Sequence, residues 1–166
     1  MKTTTFALVI GIAYLGAGIL GLVPAALQPP PADAPPTNLT VLYGYLLGLF
    51  PVNIAHSVVH LAIGAWGLAA ARGTTGAQMY SRSLAIIYGL LAVMGLIPGM
   101  NTLFGMLPLH GHDVWLHAGT AALAAYFGWR EVKTERRTAA DRRQRMLPVA
   151  RERRLGLADR RHLAYG

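Results

Sequence analysis

Histidine is the residue of this chain most able to do chemistry, and most of its histidines fall at two places. His56 and His60 are four residues apart, as are Asp113 and His117. Residues with this spacing share one face of a helix. Imidazole and carboxylate groups together bind Zn²⁺ and similar divalent ions. The spacing therefore predicts a metal site formed by His56, His60, Asp113 and His117.

Two other interpretations of the same residues stay open. His60 and His117 are candidate axial ligands of a haem or of a chlorophyll-type pigment held between helices. Alternatively, the histidines are structural and contact interfacial water or a neighbouring helix. Asp113 precedes an apolar segment and Asn53 precedes another, so both are predicted helix N-caps. His110 and His112 lie in a loop and have the simplest explanation, which is solvation.

Several classes of chemistry are excluded or left without support. The chain has no cysteine, which excludes disulfides, thiolate metal sites and cysteine nucleophiles. It has no nucleophile elbow, glycine-rich phosphate loop, zinc-protease helix motif or pair of catalytic carboxylates. We therefore predict that the protein is not an enzyme.

The elements that must position these residues are four apolar segments. Hydrophobic residues make up 54% of the 166 residues and charged residues only 13%, against about 25% charged in soluble proteins. Segments 5–27, 53–71, 79–97 and 113–129 are close to the length that crosses a bilayer. Backbone polar groups in lipid must be satisfied within the segment, so each is predicted to be a helix. Residues 1–130 are thus expected to form an all-α integral membrane four-helix bundle.

The first segment also resembles a signal peptide, because it follows Lys2 and contains Pro24-Ala25-Ala26. Its apolar run, from Phe6 to Val23, is longer than the usual signal core of about 7 to 15 residues. We therefore expect an uncleaved helix.

Basic residues predict the topology. Before residue 130 the only bases are Lys2, Arg72 and Arg82, and the other 12 of 15 lie between Arg130 and the C-terminus. With four spans, all of these regions fall on one side, which the positive-inside rule assigns to the cytoplasm. The prediction is a multi-pass protein of the bacterial inner membrane with both termini cytoplasmic.

The outer loop, residues 28–52, begins with three prolines and is predicted to be stiff and extended. Its second part, residues 39–50, is apolar and carries Tyr43 and Tyr45. It is too short to span, and tyrosines favour the headgroup level, so we predict an interfacial or re-entrant helix there.

An internal repeat relates the two halves. A shift of 74 residues aligns the first segment with the third, and a shift of 57 aligns the second with the fourth. The matched pairs are Tyr14 with Tyr88, Pro24 with Pro98, Pro51 with Pro108, and His60 with His117. The chain is therefore predicted to be two repeated helical hairpins related by an axis along the membrane normal.

Small residues recur every four positions in several segments. The sets are Ala13, Ala17 and Gly21; Gly95 and Gly99; and Ala118 and Ala122. Such faces allow close helix approach in lipid, either within this bundle or against another subunit.

The C-terminal tail, residues 131–166, is strongly basic. We expect it to lie in the cytoplasm and to bind anionic lipid headgroups or a partner protein. No nucleic-acid-binding fold is recognisable, so nucleic acid is not an expected partner. The predicted docking residues are Arg136, Arg137, Arg142, Arg143, Arg153 and Arg154.

Two motifs carry a resemblance to a known family. Asn53-x-x-His56-x-x-x-His60-x-x-x-Gly64, followed by Trp66-Gly67, is one, and Pro108-Leu109 with Asp113-x-x-x-His117 is the other. Through them the chain resembles, over about residues 5 to 130, a family of four-helix bacterial membrane proteins classed as a domain of unknown function. The resemblance implies a four-span bundle and no particular activity.

These observations favour a non-catalytic accessory subunit of a larger membrane assembly, of the photosynthetic or respiratory kind. It would dock onto other membrane protein subunits through its small-residue helix faces and its basic tail. The alternative is a membrane protein that binds haem, pigment or a divalent metal through histidines near the outer ends of spans two and four.

Overall fold

The computed structural model describes residues 1–130, and within them the chain is mostly helical. Four helices are present: α1 (Thr3–Gly21), α2 (Ile54–Ala70), α3 (Thr74–Gly95) and α4, which covers residues 112–130. The basic tail and its predicted docking arginines lie outside the described residues.

Helix α1 ends six residues before the predicted boundary at residue 27. Pro24 disfavours helical geometry in the residue before it and lacks an N–H of its own. The chain instead forms a short 3-10 turn, Pro24–Ala26. Helix α3 begins five residues before the predicted start. Arg82 lies inside this helix, and its guanidinium Nε donates to the Gly128 carbonyl at 3.1 Å.

The predicted helix at residues 39–50 is wrong. The loop between α1 and α2 instead forms a small antiparallel sheet of β1 (Leu27–Gln28), β2 (Gly44–Leu46) and β3 (Phe50–Val52), in that order. Leu47 and Gly48 both have positive φ, which a helix does not tolerate and a tight hairpin connection requires. Leu46 then pairs with Phe50 across the hairpin.

Glycine allows α1 and α2 to pack backbone against backbone. A Cβ atom at Gly64 would lie 2.6 Å from the Leu15 nitrogen and 2.8 Å from the Gly11 carbonyl oxygen. Gly67 is equally close to Gly11. The close approach therefore uses this glycine face and leaves out Ala13 and Ala17, the small residues singled out in the sequence.

The apolar core joins α1, α3 and α4. Tyr80, Leu84 and Tyr88 of α3 are fully buried. At one end of the bundle the Phe6 and Phe127 rings stack with their centroids 4.8 Å apart, and the Thr3 hydroxyl donates to the Phe127 carbonyl. These contacts fix the position of α4, which carries two of the predicted metal ligands.

Among the described helices, α1 is long and apolar enough to cross a membrane. Helix α2 is apolar as well but shorter, with 17 residues.

Candidate metal site

Asn53 fixes the start of α2 and the loops around it. Its side-chain oxygen accepts a hydrogen bond from the His56 N–H at 2.9 Å, which is the predicted N-cap. Its amide donates to the carbonyls of Leu39, at 3.1 Å, and Met106, at 2.8 Å. The fully buried amide therefore ties two separate loops to the helix turn that carries His56.

Three of the four predicted metal ligands meet between α2 and α4. One ligand atom from each of His56, Asp113 and His117 lies within 4.8 Å of the other two. The His117 Nε2 atom and the Asp113 Oδ2 atom are 3.5 Å apart. All three residues are buried, with at most 2% of their surface exposed.

These separations suit a metal ion. Zinc bonds of about 2.0–2.2 Å in a tetrahedron place neighbouring ligand atoms about 3.3–3.5 Å apart. The Asp113–His117 pair already has this spacing. The other separations need to close by at most about 1.4 Å, which is within the reach of side-chain rotation.

Several polar atoms of this region are buried without a hydrogen-bond partner. They are the Nδ1 atoms of His56, His60 and His117 and the Oδ2 atom of Asp113. A buried unpaired polar group costs about 1–3 kcal/mol. A bound ion would remove this cost for the atoms that coordinate it, such as the Asp113 Oδ2 atom.

Tyrosine rings enclose the site on the side of α1 and α3. The Tyr14 ring meets the edge of His60 at a centroid distance of 5.0 Å, and Tyr88 meets His117 at 4.9 Å. The two tyrosines touch each other at 5.4 Å. The Tyr14 hydroxyl lies 3.3 Å from the Thr120 hydroxyl of α4.

Equivalent contacts occur in the two halves of the chain, between residues related by the shifts of 74 and 57 found in the sequence. Tyr14 with His60 corresponds to Tyr88 with His117, and both pairs are edge-on at nearly equal distances. A Cβ atom at Gly21 would clash with Ser57, and a Cβ atom at Gly95 would clash with Val114. Gly95 is the counterpart of Gly21 at a shift of 74, and Val114 is the counterpart of Ser57 at a shift of 57. By the same shift, His56 corresponds to Asp113.

The remaining predicted residues are arranged differently. His60 stacks on His56 at a centroid distance of 4.4 Å but lies outside the group of three ligands. The prediction that Asp113 caps α4 is wrong, because the helix already begins at residue 112 and the Asp113 carboxyl faces His117. His112 is exposed, as predicted, although it is the first residue of α4 rather than part of the loop.

His110 departs from the prediction of a solvated loop residue, because it is buried beside Tyr45. Burial lowers the pKa of His110 below the usual value. Burial, with the nearby Tyr43 hydroxyl and Asp33 carboxylate, raises the pKa of Tyr45 to about 12. Both side chains are therefore neutral at pH 7.

A cavity of about 420 Å³ lies between α1 and α4 and adjoins one of the three ligands, Asp113. His60 and Asp113 form part of its wall together with Tyr14 and Thr120. The rest of the wall is apolar or small and includes Ala13, Gly16, Ala17, Leu47, Phe50 and Leu116.

Reasoning from sequence missed the glycine contacts that bring α2 close enough to present its histidines. The pair Gly64 and Gly67 and the pair Gly11 and Gly18 were visible signals, since glycine is a poor helix former unless close packing requires it. It also missed the cavity, which no linear pattern records.

Comparison with curated proteins and with solved structures gave no match. A family described as a domain of unknown function (DUF4383) matches residues 4–130, which are nearly all of the described residues. The resemblance inferred from the histidine motifs is thereby confirmed, and the chain belongs to the DUF4383 family.

Proposed function

We propose that this protein is a membrane-embedded metal-binding domain, in which His56, Asp113 and His117 hold one divalent transition-metal ion. The observation that carries the proposal is the convergence of two imidazoles and one carboxylate within 4.8 Å, all buried, with unpaired atoms.

The distribution of polar residues supports a lipid environment. Many helix positions that face outward are large and apolar, such as Ile86, Leu90 and Val93, each more than half exposed. Buried positions include many polar side chains, among them the histidines and Asp113. A polar interior within an apolar exterior suits a bundle whose solvent is lipid.

The four-span bundle follows as part of the same proposal. Helices α1 and α3 and helices α2 and α4 use equivalent residues in equivalent contacts, which supports two repeated hairpins with parallel orientation. The bases Lys2 and Arg72 then lie on one side, and the metal ligands lie near the other.

The ligand set fixes the class of ion. Two imidazoles and one carboxylate suit Zn²⁺ or Fe²⁺, whereas Mg²⁺ and Ca²⁺ prefer oxygen ligands. Three protein ligands leave at least one coordination position for another molecule, as in catalytic and substrate-binding sites. The backbone carbonyls of Pro51 and Pro108 lie beside the His56 ring as hydrogen-bond acceptors that can orient it.

Metal titration of the purified protein tests the proposal. The protein is extracted in mild detergent, stripped with EDTA, and titrated with Zn²⁺ and with Fe²⁺ under reducing, anaerobic conditions. We expect one ion per chain by elemental analysis. His117→Gln should lower the affinity at least about tenfold, since loss of even a supporting group around a metal costs about 10–100-fold.

His112→Gln is the matched control, because His112 lies on the same helix and is exposed. It should bind metal like the unaltered protein. Absence of stoichiometric binding, or equal loss in both variants with the fold intact by circular dichroism, would refute the proposal.

The accessory-subunit role remains a second proposal with a different basis. Its support is the basic tail and the exposed small residue Ala122 of α4. Purification from native membranes in mild detergent, followed by mass spectrometry, would identify a stable partner. Isolation as a single species without partners would contradict this role and leave metal binding untouched. The haem and pigment alternatives stay predictions, which an absorption spectrum of the same sample would test.

A further inference from the structure

The cavity between α1 and α4 connects an apolar surface with the polar atoms of the site. Its wall includes His60 and Asp113, each at least 95% buried and each with a side-chain atom that has no hydrogen-bond partner. Elsewhere its wall includes Ile12 and Leu47, which are 57% and 68% exposed. A molecule in this cavity therefore meets a mainly apolar wall and, at His60 and Asp113, polar atoms without a hydrogen-bond partner.

The charge beside Asp113 favours an anion once a metal is bound. A divalent ion with one carboxylate ligand carries a net charge of +1. An uncompensated charge away from water is costly, so a fourth ligand with one negative charge would be favourable. The first turns of α2 and α4 also meet here, and the positive ends of their dipoles favour a negative group.

From these features we infer that the cavity binds a long-chain fatty acid, whose carboxylate takes the open coordination position of the metal. The acyl chain lies against α1 and the β2–β3 hairpin, along Ala13, Gly16 and Leu47. The inference rests on the proposed metal site and adds the class of ligand that the site receives.

The size and opening of the cavity favour a single chain. Ligand pockets generally range from about 300 to 1,000 Å³, and this one, at about 420 Å³, lies near the lower limit. Because exposed apolar side chains border it, a fatty acid dissolved in the membrane can enter from the side. A phospholipid would need room for two chains and a larger head.

Binding of tritiated palmitate to the purified full-length protein tests the inference. Zinc is supplied to one sample and EDTA to another, and Zn²⁺ stoichiometry is measured on the same material. We expect saturable palmitate binding that weakens about tenfold or more when the metal is removed. Unlabelled palmitate should compete, whereas methyl palmitate should not, because its ester has no negative charge to offer the metal.

A matched pair of glycine substitutions tests the location. A Cβ atom at Gly16, in the cavity wall, or at Gly119, on α4 outside it, meets nothing within 4 Å. Gly16→Phe should fill the cavity, reduce palmitate affinity about tenfold or more, and retain Zn²⁺. Gly119→Phe should retain both.

The outcomes separate the two proposals. If the unaltered protein binds no Zn²⁺, the proposed function fails. If it binds Zn²⁺ but not palmitate, or binds palmitate equally with EDTA or with Gly16→Phe, only the fatty-acid inference fails. Stronger competition by phosphatidylglycerol than by palmitate would also overturn it, since the occupant would then be a phospholipid.

Discussion

The substitution Asp113→Asn should change the stability of the protein differently with and without metal. The amide keeps the shape of the carboxyl group but removes its negative charge. In EDTA, we expect a change within about 1 kcal/mol, because a neutral amide is no more costly to bury than a carboxyl group without a partner. Asp113 is 99% buried, so water cannot hydrate its side chain.

With metal, the same substitution should be strongly destabilising relative to the unaltered protein. An ion present at 100 times its Kd stabilises the folded state by about 2.7 kcal/mol. For the 130 described residues, an unfolding entropy of about 2.1 cal/mol/K per residue gives about 0.27 kcal/mol/K. Zinc should therefore raise the Tm of the unaltered protein by about 10 °C. A loss of affinity of about 10–100-fold in Asp113→Asn leaves about 0.4–1.4 kcal/mol at the same zinc concentration, so its Tm should rise by only about 2–5 °C.

Thermal unfolding in detergent, followed by circular dichroism in EDTA and in Zn²⁺, measures both effects. Asp33→Asn is the control, because Asp33 is the only other acidic residue before residue 131 and lies exposed in the outer loop. It should show the full rise in Tm. The reasoning is refuted if Asp113→Asn shows the same zinc-dependent rise, or if it lowers the Tm equally in both conditions.

Three further predictions concern the framework of the site. Asn53→Ala should lower the free energy of unfolding by about 2–4 kcal/mol, because it removes the N-cap of α2 and two buried hydrogen bonds that the side-chain amide donates. Asn53→Ser should retain the cap and lose less stability. Equal losses of stability in chemical denaturation would contradict this prediction. Gly64→Ala should lower the free energy of unfolding by about 1–3 kcal/mol, because the new Cβ atom would meet the α1 backbone. Gly119→Ala, where a Cβ atom meets nothing within 4 Å, should be neutral or stabilising. Similar denaturation midpoints for the two variants would refute the packing argument. His110 has a pKa lowered by burial, so the unfolded chain binds more protons and stability falls as pH drops below about 6.5. His110→Gln should reduce the loss of Tm between pH 7.5 and pH 5.5, and an unchanged loss would exclude His110 as a contributor.

The sequence by itself determined the helices and the pairing of their chemical groups. The lengths of the apolar runs gave four helical segments, and the i, i+4 spacing placed His56 with His60 and Asp113 with His117 on shared faces. The numbering shifts of 74 and 57 also anticipated which residues make equivalent contacts. These properties depend on local periodicity, which a linear sequence records directly.

Tertiary structure decided where the helices begin and end and how the polar groups meet. A hairpin with positive φ at Leu47 and Gly48 replaced the helix that was predicted over residues 39–50. Asp113 does not cap α4, because the preceding residue already belongs to the helix, and its carboxyl group faces His117. Local propensity cannot settle these outcomes, since they depend on contacts between distant segments.

The tertiary structure also determines which histidines lie close enough to act together. Sequence placed four candidates on two faces, and the packing of α2 and α4 brought three ligands within 4.8 Å of one another, whereas His60 lies outside that group. That division depends on the rotation and depth of one helix against another. The glycine contacts between α1 and α2 fix the position of α2. The aromatic contacts of α1 and α3 with α4 fix the position of α4.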